Sequence, residues 1–210
     1  MKIGIVGSGT VGGTLGSAWA RAGHEVTFGS RNPASDAIQQ LVGRAGGSAR
    51  SATLPDTVAS HDVLLLATQW PDTRAVLAGL GDLTGKILID ATNPLLPDLS
   101  GLEVGNTSSG GEQVAAWAHG ARVVKAFNTI GFNIMANSAF AAGKVVLFYC
   151  GDDADAKQTV KQLAEDLGFD ARDAGPLTRA RLLEPFALLW ISLAYGQGLG
   201  QQIGFQLLQR

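Results

Sequence analysis

The 210-residue sequence has a single cysteine, Cys150, so no internal disulfide can form, and this usage fits a reducing compartment. Cys150 closes the apolar run Val145-Val146-Leu147-Phe148-Tyr149 and is expected to be a buried, inert thiol. Net charge is nearly absent: 16 Lys and Arg against 18 Asp and Glu leave −2, which gives the chain no general attraction to nucleic acid or to an anionic membrane. Only three histidines occur. His24, His61 and His119 fall near predicted helix–strand junctions without ligand spacing, and surface or capping roles are expected for them. No Ser/His/Asp arrangement is present, and Asp152-Asp153 with Asp155 reads as a helix start, so no metal site and no catalytic acid or base is assigned. A charged segment followed by a long apolar one is missing from the start, so no secretory signal is expected. The most apolar late stretch, Leu182–Ala194, is interrupted by Glu184-Pro185 and falls short of the ~20 residues a membrane span needs. No fixed-period repeat, low-complexity segment or clear linker divides the chain. A cytoplasmic protein without nucleic-acid or membrane partners is the expectation.

What the sequence does have is apolar residues, at 46%, enough for a substantial core, and 28 glycines, several clustered at turns. Short apolar strands alternate with amphipathic helical stretches. Strands are expected at Lys2–Val6, Glu25–Phe28, weakly at Ala49–Ser51, then Asp62–Thr68, Lys86–Ala91, Arg122–Phe127, Lys144–Cys150 and Phe169–Arg172. Helices are expected at Val11–Ala22, Pro33–Arg44, Asp72–Leu80, Glu112–His119 and Asp155–Leu167, with a long loop over Asn93–Ser109. Asp62–Thr68 is apolar on both faces, which implies helices on both sides of the sheet. The alternation predicts an α/β fold with a mainly parallel sheet, which the glycine motif Gly7-Ser8-Gly9-Thr10-Val11-Gly12 between the first strand and helix makes a Rossmann-type NAD(P)-binding fold. From Pro176 to Arg210 the pattern is helical only, broken around Gly196-Gln197-Gly198. The expected division is a nucleotide-binding domain over 1–174 and a small helical part over 175–210, with the boundary near Asp173-Ala174-Gly175-Pro176.

The strongest motif is Gly7-Ser8-Gly9-Thr10-Val11-Gly12. It matches G-x-G-x-x-G, follows a strand and opens a helix. The first glycine permits a tight turn, the second lets the backbone approach a pyrophosphate, and the third allows close helix–strand packing. The unpaired amides of the helix start then face the phosphates. A second signal follows the second strand, at Gly29-Ser30-Arg31-Asn32-Pro33. NAD-specific proteins place a carboxylate here to accept from the ribose hydroxyls. No carboxylate occurs until Asp36, while Ser30 and Arg31 can donate to a 2′-phosphate, so NADPH is expected over NADH. Three further loops lie at strand carboxyl ends, where open α/β sheets bind ligands: Ala67-Thr68-Gln69-Trp70-Pro71, Ala91-Thr92-Asn93-Pro94 and Ala126-Phe127-Asn128-Thr129. Their polar side chains are candidates for ribose and nicotinamide contacts, with Trp70 a candidate cover for a ring; helix capping and ordinary packing are the alternatives.

The combination of GSGTVGG, FGSRNP, DATNP and VVKAFNTIG resembles the NADP oxidoreductase family that includes the NADPH:deazaflavin (coenzyme F420) oxidoreductases. The nucleotide domain of STEAP-type ferric reductases is also similar. The resemblance runs through the Gly175-Pro176-Leu177 region and implies that NADPH passes a hydride to a flavin or deazaflavin stacked on the nicotinamide. By the same resemblance, Ser8, Thr10 and Val11 lie near the pyrophosphate, Ser30, Arg31 and Asn32 hold the 2′-phosphate end, and Thr68, Gln69, Asn93 and Asn128 lie near the ribose and nicotinamide. The sequence carries no transmembrane part, so haem-linked iron reduction is not expected.

Hydride transfer between stacked rings needs positioning and exclusion of water more than a proton donor. One residue nevertheless invites a chemical role. Lys125 ends a strand close to Asn128, and in β-hydroxyacid dehydrogenases a Lys and an Asn serve proton transfer and substrate orientation. The alternative is a lysine that orients its loop or binds a ligand phosphate. Three functions therefore stand: an NADPH-dependent reductase of a flavin-like acceptor, a small imine or carbonyl reductase using Lys125, and a non-enzymatic NADPH-sensing module. In the late helical part, Leu182, Leu183, Phe186, Leu189, Trp190, Leu193 and Ala194 form a wide apolar surface that needs burial, either on the chain's own sheet or in a homodimer, the expected assembly.

Overall fold

The computed structural model describes residues 1–210 and contains one eight-stranded sheet in the order β3-β2-β1-β4-β5-β6-β7-β8. The strands are β1 Lys2–Val6, β2 Glu25–Ser30, β3 Arg50–Thr53, β4 Val63–Leu66, β5 Ile87–Asp90, β6 Arg122–Lys125, β7 Val146–Gly151 and β8 Asp170–Asp173. All neighbouring pairs are parallel except β6 with β7. The chain starts at β1, winds outward to β3, and returns to place β4 on the other side of β1. That reversal creates the crevice at which open α/β sheets take ligands.

The helices are α1 Thr10–Arg21, α2 Asp36–Ala45, α3 Leu54–Ser60, α4 Trp70–Ala78, α5 Gly110–Trp117, α6 Phe132–Ala136, α7 Ala154–Glu165 and α8 Ala180–Ile191. The central strands β1, β4 and β5 are almost wholly apolar because both faces are covered, whereas the edge strands β3 and β8 are mostly polar. Ile3, Ile5, Leu65 and Ile89 pack into one core with Leu15, Trp19, Phe127 and Phe169. Val6, Leu64, Leu66 and Leu88 face a second core with Trp70, Val114, Leu177 and Leu183. In the first core Trp19 Nε1 donates to the carbonyl of Leu163 at 3.0 Å, joining α1 to α7. No helix is long and apolar enough to cross a membrane.

Two short helices were not expected. In α3 the signal is local and legible: Thr53 caps the helix by accepting from Asp56 N–H, and Pro55 occupies its first turn. In α6, five residues are too few to show a period. The expected helix over Pro176–Arg210 needs a larger correction. A 3₁₀ turn at Leu177–Arg179 leads into α8, a π turn covers Ser192–Gly196, and residues 197–210 have no regular structure. Gly198 and Gly200 adopt φ of +70° and +76°, which ends the helix. The tail instead runs back over the sheet: Phe205 O accepts from Val146 N–H at 2.9 Å and Ile203 O accepts from Trp190 Nε1 at 2.9 Å. Part of the apolar surface of α8 stays uncovered, with Leu182 61% and Leu189 47% exposed.

The histidines also differ from expectation. His119 is exposed, but His24 and His61 are buried. His24 sits between the amino terminus and Asp166, with Nδ1 3.0 Å from the Met1 amine and Nε2 3.1 Å from the carboxylate. His61 Nδ1 lies 2.8 Å from Thr57 O, while its Nε2 has no partner. Burial holds both pKa values below the ordinary 6.5; the nearby amino terminus adds to the effect at His24, and Arg50, Lys2 and Lys86 add to it at His61. The unfolded chain therefore binds more protons than the folded one just below pH 6.5, so stability is present above that pH and is lost as pH falls below it. The urea midpoint should drop between pH 7.5 and 5.5, and His61→Gln should flatten that slope. An equal slope in the variant would remove His61 from the account.

Candidate functional site

The glycine loop joins β1 to α1, and its first and last glycines are required by geometry. Gly7 has φ +100°, and a Cβ there would meet Ala67 O at 2.6 Å. A Cβ at Gly12 would overlap the carbonyl oxygen of Gly7. Gly9 is different: no atom lies within 4 Å of where its Cβ would stand, so the space above it is open. Gly9 is also the N-cap of α1, with no side-chain cap, and the first turn carries no acidic residue. The helix thus presents unpaired amides and the positive end of its dipole to an open space, which suits an anion. Gly12→Ala should destabilise the protein by about 1–3 kcal/mol through overpacking and weaken NADPH binding together with it. A variant with unchanged melting and unchanged NADPH affinity would contradict this packing.

Beside the loop a groove of about 780 Å³ is lined by Gly7, Ser8, Gly29, Ser30, Arg31 and Asn32, with Leu54, Ala75, Val76 and Leu80 as its apolar part. Ser30 Oγ accepts from Asn32 N–H at 3.1 Å and shapes the turn, while Arg31 is exposed. The one carboxylate on the groove wall is Asp72, which belongs to α4 and not to the turn after β2. A phosphate beside Arg31 would therefore meet donors from the turn itself. The groove gathers the glycine loop and the Ser30-Arg31-Asn32 turn, which are separated by about 20 residues in sequence, because β1 and β2 are paired in parallel.

The remaining candidates lie at the carboxyl ends of β4, β5 and β6, which are adjacent strands. Ala67, Thr68 and Gln69 follow β4, and Thr68 Oγ1 lies 2.8 Å from Thr73 Oγ1. Asn93 and Asn128 clasp one another: Asn93 Nδ2 donates to Asn128 O at 2.9 Å, and Asn128 Nδ2 donates to Asn93 Oδ1 at 3.1 Å. Pro94 is buried, with Cδ close to Gly110. Trp70 does not fit its expected role. The residue is buried, and its ring packs on Trp117 at 5.5 Å and abuts Gly110, so it is a wall of the second core and is not free to cover a ligand ring.

Of the two roles expected for Lys125, the structure gives it that of orienting a loop, through Thr92 O, and not that of an acid. Its side chain is fully buried, and each of its three N–H donors is taken: Asp90 Oδ2 at 2.9 Å, Thr92 O at 2.7 Å and Glu184 Oε1 at 2.8 Å. Burial alone would lower its pKa, but the two carboxylates outweigh it and hold the ammonium charged above the ordinary lysine range. Lys125 has no access to a ligand, and its three protons are held by Asp90, Thr92 O and Glu184. Cys150, next in space across the β6–β7 pairing, is likewise inert: burial pushes its thiol up to about 12. Sequence reasoning missed the partners of Lys125. Asp90 was absorbed into an apolar strand, and Glu184 was treated only as an interruption of an apolar run. A carboxylate at the centre of such a run was the available signal, since a buried charge demands a partner.

A glycine loop at the topological switch point, an uncapped helix start and a basic turn after β2 define an NADP-binding α/β protein of the Rossmann type. The chain belongs to the NADP oxidoreductase, coenzyme F420-dependent family, whose model matches residues 2–94. It is 33% identical to the F420-dependent NADP reductase of Methanothermobacter thermautotrophicus, over 92% of this chain and 89% of that one. It is 32% identical to the metalloreductase STEAP3 of Rattus norvegicus over 89% of its own length, and spans only 36% of that protein. A crystal structure of a candidate F420-dependent NADP reductase from Arthrobacter sp. FB24 superposes with a TM-score of 0.89 at 33% identity, and each chain covers 100% of the other.

Proposed function

We propose that this protein is an NADPH-dependent reductase that passes a hydride to a deazaflavin or flavin acceptor. The observation that carries the cofactor half is the open, uncapped start of α1 together with the adjoining groove, which takes Gly7 and Ser8 of the loop on one side and a basic turn free of carboxylates on the other. The amides of Thr10, Val11 and Gly12, with Ser8, would hold the pyrophosphate, and Ser30, Arg31 and Asn32 would hold the 2′-phosphate. Thr68, Gln69, Asn93 and Asn128 would line the ribose and nicotinamide half. NADPH supplies the hydride from its nicotinamide ring; the chain binds, orients and excludes water. The buried, fully engaged Lys125 argues against a general-acid reduction of an imine or carbonyl, and a hydride passed between stacked rings requires no proton donor at that position. The acceptor class is supported by the archaeal relative, which matches nearly end to end and is named for coenzyme F420.

The test is NADPH oxidation followed by absorbance, with coenzyme F420, FMN, FAD and ferric chelates offered separately. Rapid turnover with the deazaflavin or a flavin is expected. Tight NADPH binding without turnover on any of them would move the protein to the sensing reading. The uncovered Leu182 and Leu189 on α8 further support self-association, and light scattering should give the mass of two chains.

A further inference from the structure

We propose that Glu184, on α8, is a positioning residue that fixes the geometry of the Asn93–Asn128 pair through Lys125 and thereby sets the productive seating of the nicotinamide half. The inference rests on the functional reading above, and goes beyond it by giving the carboxyl-terminal helix a part in the active site.

Glu184 is 1% exposed, and its carboxylate is saturated by three donors from two elements. Oε2 accepts from Gly110 N–H at 2.9 Å; Oε1 accepts from Gly111 N–H at 2.9 Å and from Lys125 Nζ at 2.8 Å. It thus caps the start of α5 from a residue more than 70 positions away in sequence. Gly110 leaves room for the carboxylate, and Gly111 for the close approach of α8. A Cβ at Gly110 would stand 3.1 Å from Glu184 Oε1, and one at Gly111 would stand 3.1 Å from Ala180 Cβ.

Lys125 passes this anchoring to the candidate nicotinamide end. Its contact with Thr92 O fixes the peptide that leads into Asn93, and Asp90 holds the same turn by accepting from Thr92 N–H and Oγ1 at 2.9 and 2.7 Å. Asn93 is then clasped to Asn128, and Asn128 Nδ2 also reaches Leu183 O at 3.2 Å, the residue beside Glu184. The circuit therefore closes on α8 at both ends. Between Lys125 and Asn128, Phe127 holds φ +65°, unusual for a residue with a side chain, and its ring is locked between Trp19 and Phe169 at 5.5 and 6.5 Å. Packing thus enforces a backbone turn that the local chain would avoid. Asn128 Oδ1 and Thr129 Oγ1 are buried there with no partner. Such orphaned groups persist where the surroundings fix them for a purpose.

Glu184→Gln keeps the shape but leaves one acceptor oxygen where three donors converge, so the circuit must rearrange. The control is Arg181→Ala, which removes the other α8–α5 link, the bidentate pair with Glu112 at 2.8 and 2.6 Å, without touching Lys125. Binding of 2′,5′-ADP reports the adenosine half alone, and binding of NADPH reports the whole. In Glu184→Gln the 2′,5′-ADP affinity should stay within about twofold, as for distant sites. NADPH affinity or the hydride-transfer rate should fall about tenfold or more, as misplacement of a reacting group does. The isotope effect with 4-deuterated NADPH should rise, and Arg181→Ala should show none of this at matched thermal stability. Equal behaviour of the two variants, or a lower melting temperature with an unchanged ratio of the two affinities, would reduce Glu184 to a structural cap. Wild-type protein that binds NADPH but turns over no acceptor would fail the reductase reading while leaving the binding comparison intact.

Discussion

Arg31→Ala is expected to weaken NADPH binding by about 1.5–3 kcal/mol, the loss of a charge-assisted contact, which is roughly 10- to 150-fold in Kd. NADH, which has no 2′-phosphate, should be affected little. The reasoning is local. Arg31 follows β2, the strand whose end meets the adenosine ribose in this fold, and it lines the groove beside Ser30 and Asn32. Its guanidinium is planar and matches phosphate oxygens two at a time, so Arg31→Lys should recover only part of the loss. Titration by fluorescence with each cofactor decides the matter. Equal weakening of NADPH and NADH would show that Arg31 supports the loop and does not read the phosphate.

Lys125→Met is expected to cost about 3–5 kcal/mol of stability, the penalty for stripping a buried charge of its partner. The variant would leave the carboxylates of Asp90 and Glu184, both essentially inaccessible to water, facing each other across an apolar side chain. One of them should take up a proton, so the loss should be smaller at pH 5 than at pH 8. The wild-type triad behaves otherwise, because its lysine stays charged across that range. Urea unfolding at the two pH values measures both points. A variant as stable as wild type would mean that water or a shift of α8 compensates the vacated charge. The same experiment separates this reading of Lys125 from an acid–base one, in which activity would vanish from a protein of normal stability.

Much of the fold could be read from the residues, since the central strands are apolar runs bounded by glycine or polar turns and the amphipathic helices show their period, while the polar edge strands β3 and β8 gave only a weak signal. Gly7 and Gly12 announced their turn because only glycine satisfies it. The relation between the glycine loop and Arg31 was legible for the same reason: a strand–helix–strand unit fixes where the second strand ends. What stayed hidden depended on distant contacts. Glu184 and Asp90 are ordinary residues until the fold brings them onto Lys125. Trp70 had the right place in sequence for a ligand cover, and only the packing of α5 shows that Trp117 occupies its face. The tail misled because Leu and Gln at residues 199–209 suit a helix, whereas Gly198 and Gly200 turn the chain and Gly204 lets it pass close to Val145 beside β7. His24 and His61 looked superficial because sequence cannot show that Asp166 and Thr57 close over them.

The most direct measurement is to follow the label from NADPH carrying deuterium at both C4 positions of the nicotinamide, with a deazaflavin acceptor, and to analyse the reduced acceptor by mass spectrometry. The ring carbon of a deazaflavin keeps what it receives, so direct hydride transfer predicts deuterium in the product and none in water. NADPH that binds but carries its deuterium unchanged through the incubation, or releases it to solvent, would contradict the account.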